Sequence, residues 1–215
     1  MTRSSKPVAG EGLLAGLAPE EQRQLLDDLN YLNLQEIRSF CDRHGLPYRI
    51  LVEAPDRSRR TATRDTDRKP VVLDRVRHYP ATGEVPAATT IPAAIVRSRD
   101  PGRALGPTDR LYYRWYDKTD PTVIGLLQDL TDGRFRNGAL ARVLLMEHWT
   151  RGEAPTFAEF ADAWLAATNG RRDLLSPEYA FLTDLRQGDA GADWKARRAA
   201  RARRALELLD RIPRP

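Results

Sequence analysis

The 215-residue sequence has one cysteine, three histidines and no apolar run near the roughly 20 residues that a membrane helix needs. A single cysteine excludes an internal disulfide and fits a reducing, cytoplasmic setting. The one metal-like arrangement, Cys41-x-x-His44 with His78 elsewhere, falls short of a tetrahedral ligand set. Cys41 reads more simply as a core residue, and no metal is expected. The basic start from Met1 to Pro7 has no apolar stretch behind it, so no secretory leader is expected. There is no Gly-rich phosphate loop, no nucleophile elbow and no His-Glu-x-x-His. Glu147 and His148 adjoin, but neighbours on a helix point in different directions. Asp117-Lys118-Thr119-Asp120, the nearest approach to a nuclease cluster, reads better as a turn and helix cap. The expectation is a non-enzymatic chain without a cofactor.

What is present is a soluble, basic protein with a core: 41% apolar and 30% charged residues, mean hydropathy −0.57 and a net charge of +5. The length suits one medium domain or two small ones. Arginine far outnumbers lysine, and Ala, Gly and Asp are abundant, a bias that hints at a GC-rich bacterial gene. The charge is uneven. Residues 190–215 carry eight basic residues against Asp193, Glu207 and Asp210, which accounts for the whole excess. Residues 57–69 hold five arginines and Lys69 against Asp65 and Asp67. Both clusters suit an anionic partner, and both also read as solvated faces.

The clearest local signal is residues 33–47. Asn33 and Glu36 have capping-box spacing, Leu34, Ile37 and Cys41 with Phe40 make an apolar stripe, and Gly45-Leu46-Pro47 ends the helix. Before it, residues 1–17 read as a flexible N-terminus. Pro19-Glu20-Glu21 starts a helix that ends near Tyr31, with Leu25, Leu26 and Leu29 inward. Residues 48–54 suit a strand, Pro55 to Ser58 a turn and Arg59 to Thr63 a return strand, giving a basic hairpin, with a disordered basic loop as the alternative. Asp67 or Thr66 caps a helix through Tyr79, closed by Pro80 and Gly83. Residues 84–109, with Pro86, Pro92, Pro101 and Pro107, read as a linker or a strapped extended segment. Helices are then expected from Asp120-Pro121, from Gly138 to Trp149, from the second capping box Thr156–Glu159, from Ser176 and from about Trp194 to Ile212.

A helix ending in Gly45-Leu46-Pro47, an extended segment, and a helix opening with Arg68-Lys69 and carrying Val72, Leu73, Arg75 and Val76 resembles the SAP domain. The resemblance covers roughly residues 30–83. Here the extended segment is longer than usual, and Asp67 stands where that family has glycine before its basic pair. The resemblance implies a helix-extended-helix fold and, in most such modules, DNA binding. Residues 111–167, from the aromatic run through Gly133-Arg134-Phe135-Arg136 to Trp164, resemble an uncharacterised domain found beside SAP-type modules in small bacterial proteins.

The expected architecture is therefore mainly α: a SAP-like helix-hairpin-helix unit followed by a small helical bundle, with one short β-hairpin. Its parts are a flexible N-terminus (1–17), a SAP-like domain with a basic hairpin insert (18–83), a Pro-rich linker (84–109) and a helical domain with a basic C-terminal helix (110–215). The expected function is non-enzymatic binding of nucleic acid, double-stranded DNA first; the alternative is a protein-protein interaction or scaffold role with no nucleic acid. A helix N-terminus favours phosphate, so Arg68, Lys69 and Arg75 join Arg57, Arg59, Arg60 and Arg64 of the hairpin as candidate contacts. Arg197, Arg201 and Arg204, spaced along one face of the last helix, form a second set. Ala199, Ala202, Leu206 and Leu209 mark that helix's opposite, apolar stripe. Such contacts grip the backbone and carry little sequence information. No membrane partner is expected; the setting is the cytoplasm, and the nucleoid if DNA is bound. Tyr112, Tyr113, Trp115 and Tyr116 suit base stacking or, more commonly, a core.

Overall fold

The computed structural model describes residues 12–56, 58–100, 102–169 and 192–214. Among these the chain is mainly helical, with seven α-helices and one three-stranded sheet. The helices are α1 (Pro19–Asp28), α2 (Leu34–His44), α3 (Lys69–Thr82), α4 (Pro121–Asp129), α5 (Ala139–Thr150), α6 (Phe157–Asn169) and α7 (Ala192–Leu209). The strands are β1 (Arg49–Glu53), β2 (Arg60–Thr66) and β3 (Thr90–Ile91).

The chain divides into two compact units, each with its own core. The first comprises residues 1–49, 66–88 and 174–215, and the second residues 50–65 and 89–173. In the first unit, α1, α2, α3 and α7 enclose Leu25, Leu29, Ile37, Phe40, Val76, Tyr79, Ala205 and Leu209. The ends of α2 follow from its sequence. Asn33 Oδ1 accepts from Glu36 N at 2.8 Å, and Asn33 N donates to Glu36 Oε2 at 2.6 Å. Gly45 adopts φ +66, and Leu46 N donates to Cys41 O at 2.9 Å, so the helix closes on a left-handed residue that only glycine adopts freely.

Several expectations change here. Leu26 and Leu34 are 43% and 37% exposed, so the buried stripes of α1 and α2 are narrower than their leucines suggest. Residues 13–16 of the presumed flexible N-terminus form a 3₁₀ turn, with Leu13 and Leu14 packed on the first core. Pro80 lies inside α3 and does not end it; the stop is Gly83, at φ +76. The cap of α3 is Arg68, because the Asp67 carboxylate is turned inward onto Arg75.

The last helix belongs to the first unit, not to a 110–215 domain. Its buried stripe is Ala202, Ala205 and Leu209, with Ile212 beyond, whereas Ala199 is exposed. Alanines at these positions allow close approach to α1, and arginines beside them find acids there.

In the second unit, β1 is the middle strand, in the order β2-β1-β3. The basic segment is thus a hairpin strand and not a loop. β3 pairs with β1 in parallel, Leu51 opposite Thr90 and Val52 opposite Ile91. Residues 84–109 are therefore more than a linker: Ile91 and Ile95 are buried in the second core. That core gathers Trp115, Leu127, Phe135, Leu145, Trp149, Phe160 and Trp164 from α4, α5, α6 and their connections. Asp120 caps α4 by accepting from Thr122 N at 2.9 Å, and Thr156 and Glu159 cap α6 reciprocally at 3.1 and 2.7 Å. The helix expected from Ser176 lies outside the described residues.

Candidate nucleic-acid interface

Strand alternation places Arg60, Ala62 and Arg64 on one face of β2, and Thr61, Thr63 and Asp65 on the other. Arg60, Ala62 and Arg64 are all exposed. Asp65 anchors the strand. Its Oδ2 accepts from the Tyr113 hydroxyl and from Arg114 Nε and Nη2 at 3.2 and 3.0 Å. Arg114 holds φ +66, an unfavourable conformation for a side-chain-bearing residue, while its guanidinium carbon sits 5.3 Å from the Tyr113 ring centre. Fastening by Asp65 orients the opposite face, with Arg60 and Arg64, away from this anchor.

The turn before β2 is built by Asp56, which accepts from Ser58 N at 3.0 Å and Ser58 Oγ at 2.7 Å. These bonds hold the Asp56 carboxyl below the usual carboxylate range. Ala54 N donates to Arg59 O at 2.9 Å and closes the hairpin. Among the described residues, Arg59, Arg60 and Arg64 pair with no acid and are exposed. Arg60 and Arg64 stand about 13 Å apart along the strand, from a rise of ~3.3 Å per residue. β2 is also the outer strand of its sheet. Arg57 lies outside the described residues.

The other candidates fare differently. Arg75 is 7% exposed; its Nη1 donates to Asp67 Oδ2 at 2.5 Å and Pro47 O at 2.9 Å. It is an interior tie between the end of α2 and the start of α3, so it is corrected out of the interface. Arg201 Nε donates to Asp28 Oδ1 at 2.5 Å and its Nη1 to the Tyr31 hydroxyl at 2.8 Å, with the guanidinium 4.2 Å from that ring centre. Arg204 Nε donates to Asp28 Oδ2 at 3.1 Å. Both guanidiniums are engaged by Asp28 as docking contacts of α7, Arg201 half-buried and Arg204 still exposed, so neither is an unpaired cation. Lys69 donates to the Asn30 carbonyl, and Arg68 is half-buried at the helix cap. Arg197 is exposed on α7. The hairpin arginines thus belong to the second unit, and Arg68, Lys69 and Arg197 to the first.

Asp28 was missed by sequence reasoning although it is 1% exposed and gathers two arginines. Its signal was an acid lying between Leu25 and Leu29 on the inward stripe of α1. The aromatic run is core: Tyr113 and Trp115 are buried, and Tyr112 and Tyr116 pack against the same cluster. Glu147 and His148 do not pair, but Glu153 Oε2 lies 2.9 Å from His148 Nδ1. That contact depends on Gly152, whose φ of +79 turns the chain back after α5; a side chain there would meet Pro92 Cγ at 3.1 Å.

Cys41 is fully buried, and burial, with Asp42 adding to it, pushes its thiol up to about 12. His44 is buried too, stacked on Phe40 at 4.2 Å, with no partner for Nδ1 among the described residues. Burial lowers its pKa and Arg43 and Arg214 lower it further, against the Pro213 carbonyl and Asp210. An unfolded histidine titrates near ~6.5. Below that value the unfolded chain binds more protons than the folded one. The His44 contribution is therefore intact above about pH 6.5, declines as the pH falls through it, and levels off once folded His44 protonates. The urea midpoint is expected to fall from about pH 7.5 to pH 5, and to fall less in His44→Phe. An equal fall in the variant would assign the acid sensitivity to other groups.

No protein-family model, no curated protein and no solved structure matches the chain. Among the described residues no helix is long and apolar enough to cross a membrane.

Proposed function

We propose that the protein is a non-enzymatic, SAP-like nucleic-acid-binding protein that grips the phosphates of double-stranded DNA through its basic hairpin. The observation that carries this reading is a set of exposed arginines with no acidic partner among the described residues: Arg60 and Arg64 on a strand whose other face is anchored by Asp65, and Arg59 just before that strand. Exposed arginine fits phosphate because its planar fork donates two parallel hydrogen bonds. The capped α2 with its Gly-Leu-Pro end and the basic start of α3 support the SAP-like part of the reading. Such a protein works in the cytoplasm, on the nucleoid. Contacts of this kind are to the backbone, so little sequence preference is expected.

The test is a duplex titration at about 50 and 200 mM salt. Three phosphate contacts give a slope near −2.7 in log affinity against log salt, hence binding about 40-fold weaker at the higher salt. Reversing Arg59, Arg60 and Arg64 to glutamate is expected to remove most of that slope. Absence of binding at low salt, or an unchanged slope in the triple variant, overturns the proposal. A second reading, strand addition by a protein partner, is favoured by the outer position of β2. It gains if a stoichiometric protein partner is recovered while DNA binding is absent.

A further inference from the structure

Beside its arginines, β2 carries a second recognition element, its backbone. In the order β2-β1-β3 it has a neighbour on one side only among the described residues. Arg59 O accepts from Ala54 N across the hairpin, so the Arg59 backbone faces β1. In an antiparallel pair successive residues alternate between facing the partner strand and facing away. The N–H and C=O of Arg60 and Ala62 therefore point to the uncovered edge, while those of Thr61 turn to β1. Farther along, Asp65 N donates to Thr63 Oγ1 at 3.0 Å. The open edge is thus short and centred on Ala62.

The side chains on this edge select what can cover it. A second copy of β2, laid antiparallel about Ala62, sets Arg60 opposite Arg64 at both ends, and like charges directly opposite destabilise a strand pair. A strand with carboxylates at those two positions, four residues apart, replaces both repulsions with arginine–carboxylate pairs. The acids of the hairpin do not already fill this role. Asp56 accepts from Ser58, Glu53 Oε2 accepts from Ala93 N at 3.3 Å, and Asp65 is held by Tyr113 and Arg114 on the opposite face. Between the two arginines stands only Ala62, which is exposed and too small to hinder an added backbone.

From this geometry we propose that the outer edge of β2 takes up an extended acidic peptide as an added antiparallel strand, with carboxylates at positions i and i+4 on Arg60 and Arg64. The added strand occupies the arginines that would otherwise meet phosphate, so it excludes DNA. That exclusion rests on the phosphate-binding reading; the docking itself does not.

The experiment titrates the full chain with the end-capped peptide Val-Glu-Val-Thr-Val-Glu-Val, followed by amide chemical shifts. Two forms of it are compared, one N-methylated on the central Thr, whose N–H faces β2 in this pairing, and one on the Val after it, whose N–H faces away. The first is expected to bind about tenfold more weakly than the parent and the second equally well. Ala62→Pro deletes one outward N–H at an edge position where proline is tolerated, so it is expected to weaken the peptide several-fold and leave duplex binding unchanged. Arg60→Glu with Arg64→Glu is expected to reject this peptide and accept its lysine counterpart, Val-Lys-Val-Thr-Val-Lys-Val, a gain that misfolding does not produce. No saturable binding of the parent peptide, equal affinities of the two methylated forms, or an unchanged peptide affinity in Ala62→Pro would each overturn the docking. Duplex binding without peptide binding removes the docking and leaves the phosphate grip, and peptide binding without duplex binding does the reverse. Where both bind, saturating peptide is expected to displace the duplex; simultaneous binding of the two overturns the exclusion.

Discussion

Asp67→Ala is expected to destabilise the first unit by about 3–5 kcal/mol, the cost of leaving a buried charge without its partner. Arg75 keeps its charge at any physiological pH. At 7% exposure it has little water to turn to, and its bond to the Pro47 carbonyl brings no opposite charge. Total stabilities of domains are only about 5–15 kcal/mol, so this loss is a large share. From within α3, Arg75 ties Pro47, in the turn that follows α2, to Asp67, next to the α3 cap, so it spans the excursion that carries the hairpin. Urea unfolding measures the effect. Asp67→Leu combined with Arg75→Met is expected to recover most of it, since a packed apolar pair often matches a buried ion pair. A loss below about 1 kcal/mol in the single variant would mean that Arg75 reaches solvent on its own.

Phe160→Ala is expected to cost the second unit about 3–5 kcal/mol. Phe160 is fully buried on α6, with ring centres of Phe135 and Tyr116 both 6.4 Å away in edge-on arrangements. Phe135 in turn lies 5.1 Å from Trp164. Removing the ring leaves a cavity that neighbouring aromatics, themselves packed edge to face, fill poorly. Trp115, Trp149 and Trp164 all belong to this core, so tryptophan fluorescence reports its unfolding. An unchanged fluorescence midpoint would show that the site collapses around the missing ring.

Local signals were the legible ones. Asn33 with Glu36, Asp120 with Pro121, and Thr156 with Glu159 mark helix starts because a cap is an interaction within one turn. Gly45 and Gly83 mark helix ends for the same reason. What depended on distant partners was not legible. β3 is two residues long and exists only because β1 lies beside it in parallel. Leu26 and Leu34 have the right spacing for burial, yet spacing alone does not say how wide a stripe is covered. The same limit applies to the interface. A run of arginines reveals its charge in the sequence, but whether each meets an acid is decided by the fold. Arg60 and Arg64 meet no acid, whereas Arg75 is drawn inward by Asp67, and Arg201 and Arg204 are paired with the buried Asp28.

The packing of α7 on α1 also orders events during synthesis. Arg201 and Asp28 are 173 residues apart in the chain. Leu25 and Leu29 emerge early from a ribosome, but the alanine face that covers them emerges only after the whole of the second unit. Contacts over so long a separation form slowly, and an uncovered apolar helix is open to misassociation in the interval. The first unit, begun first, is finished last, and a chain stalled before Ala192 would expose the leucines of α1 to chaperones and proteases.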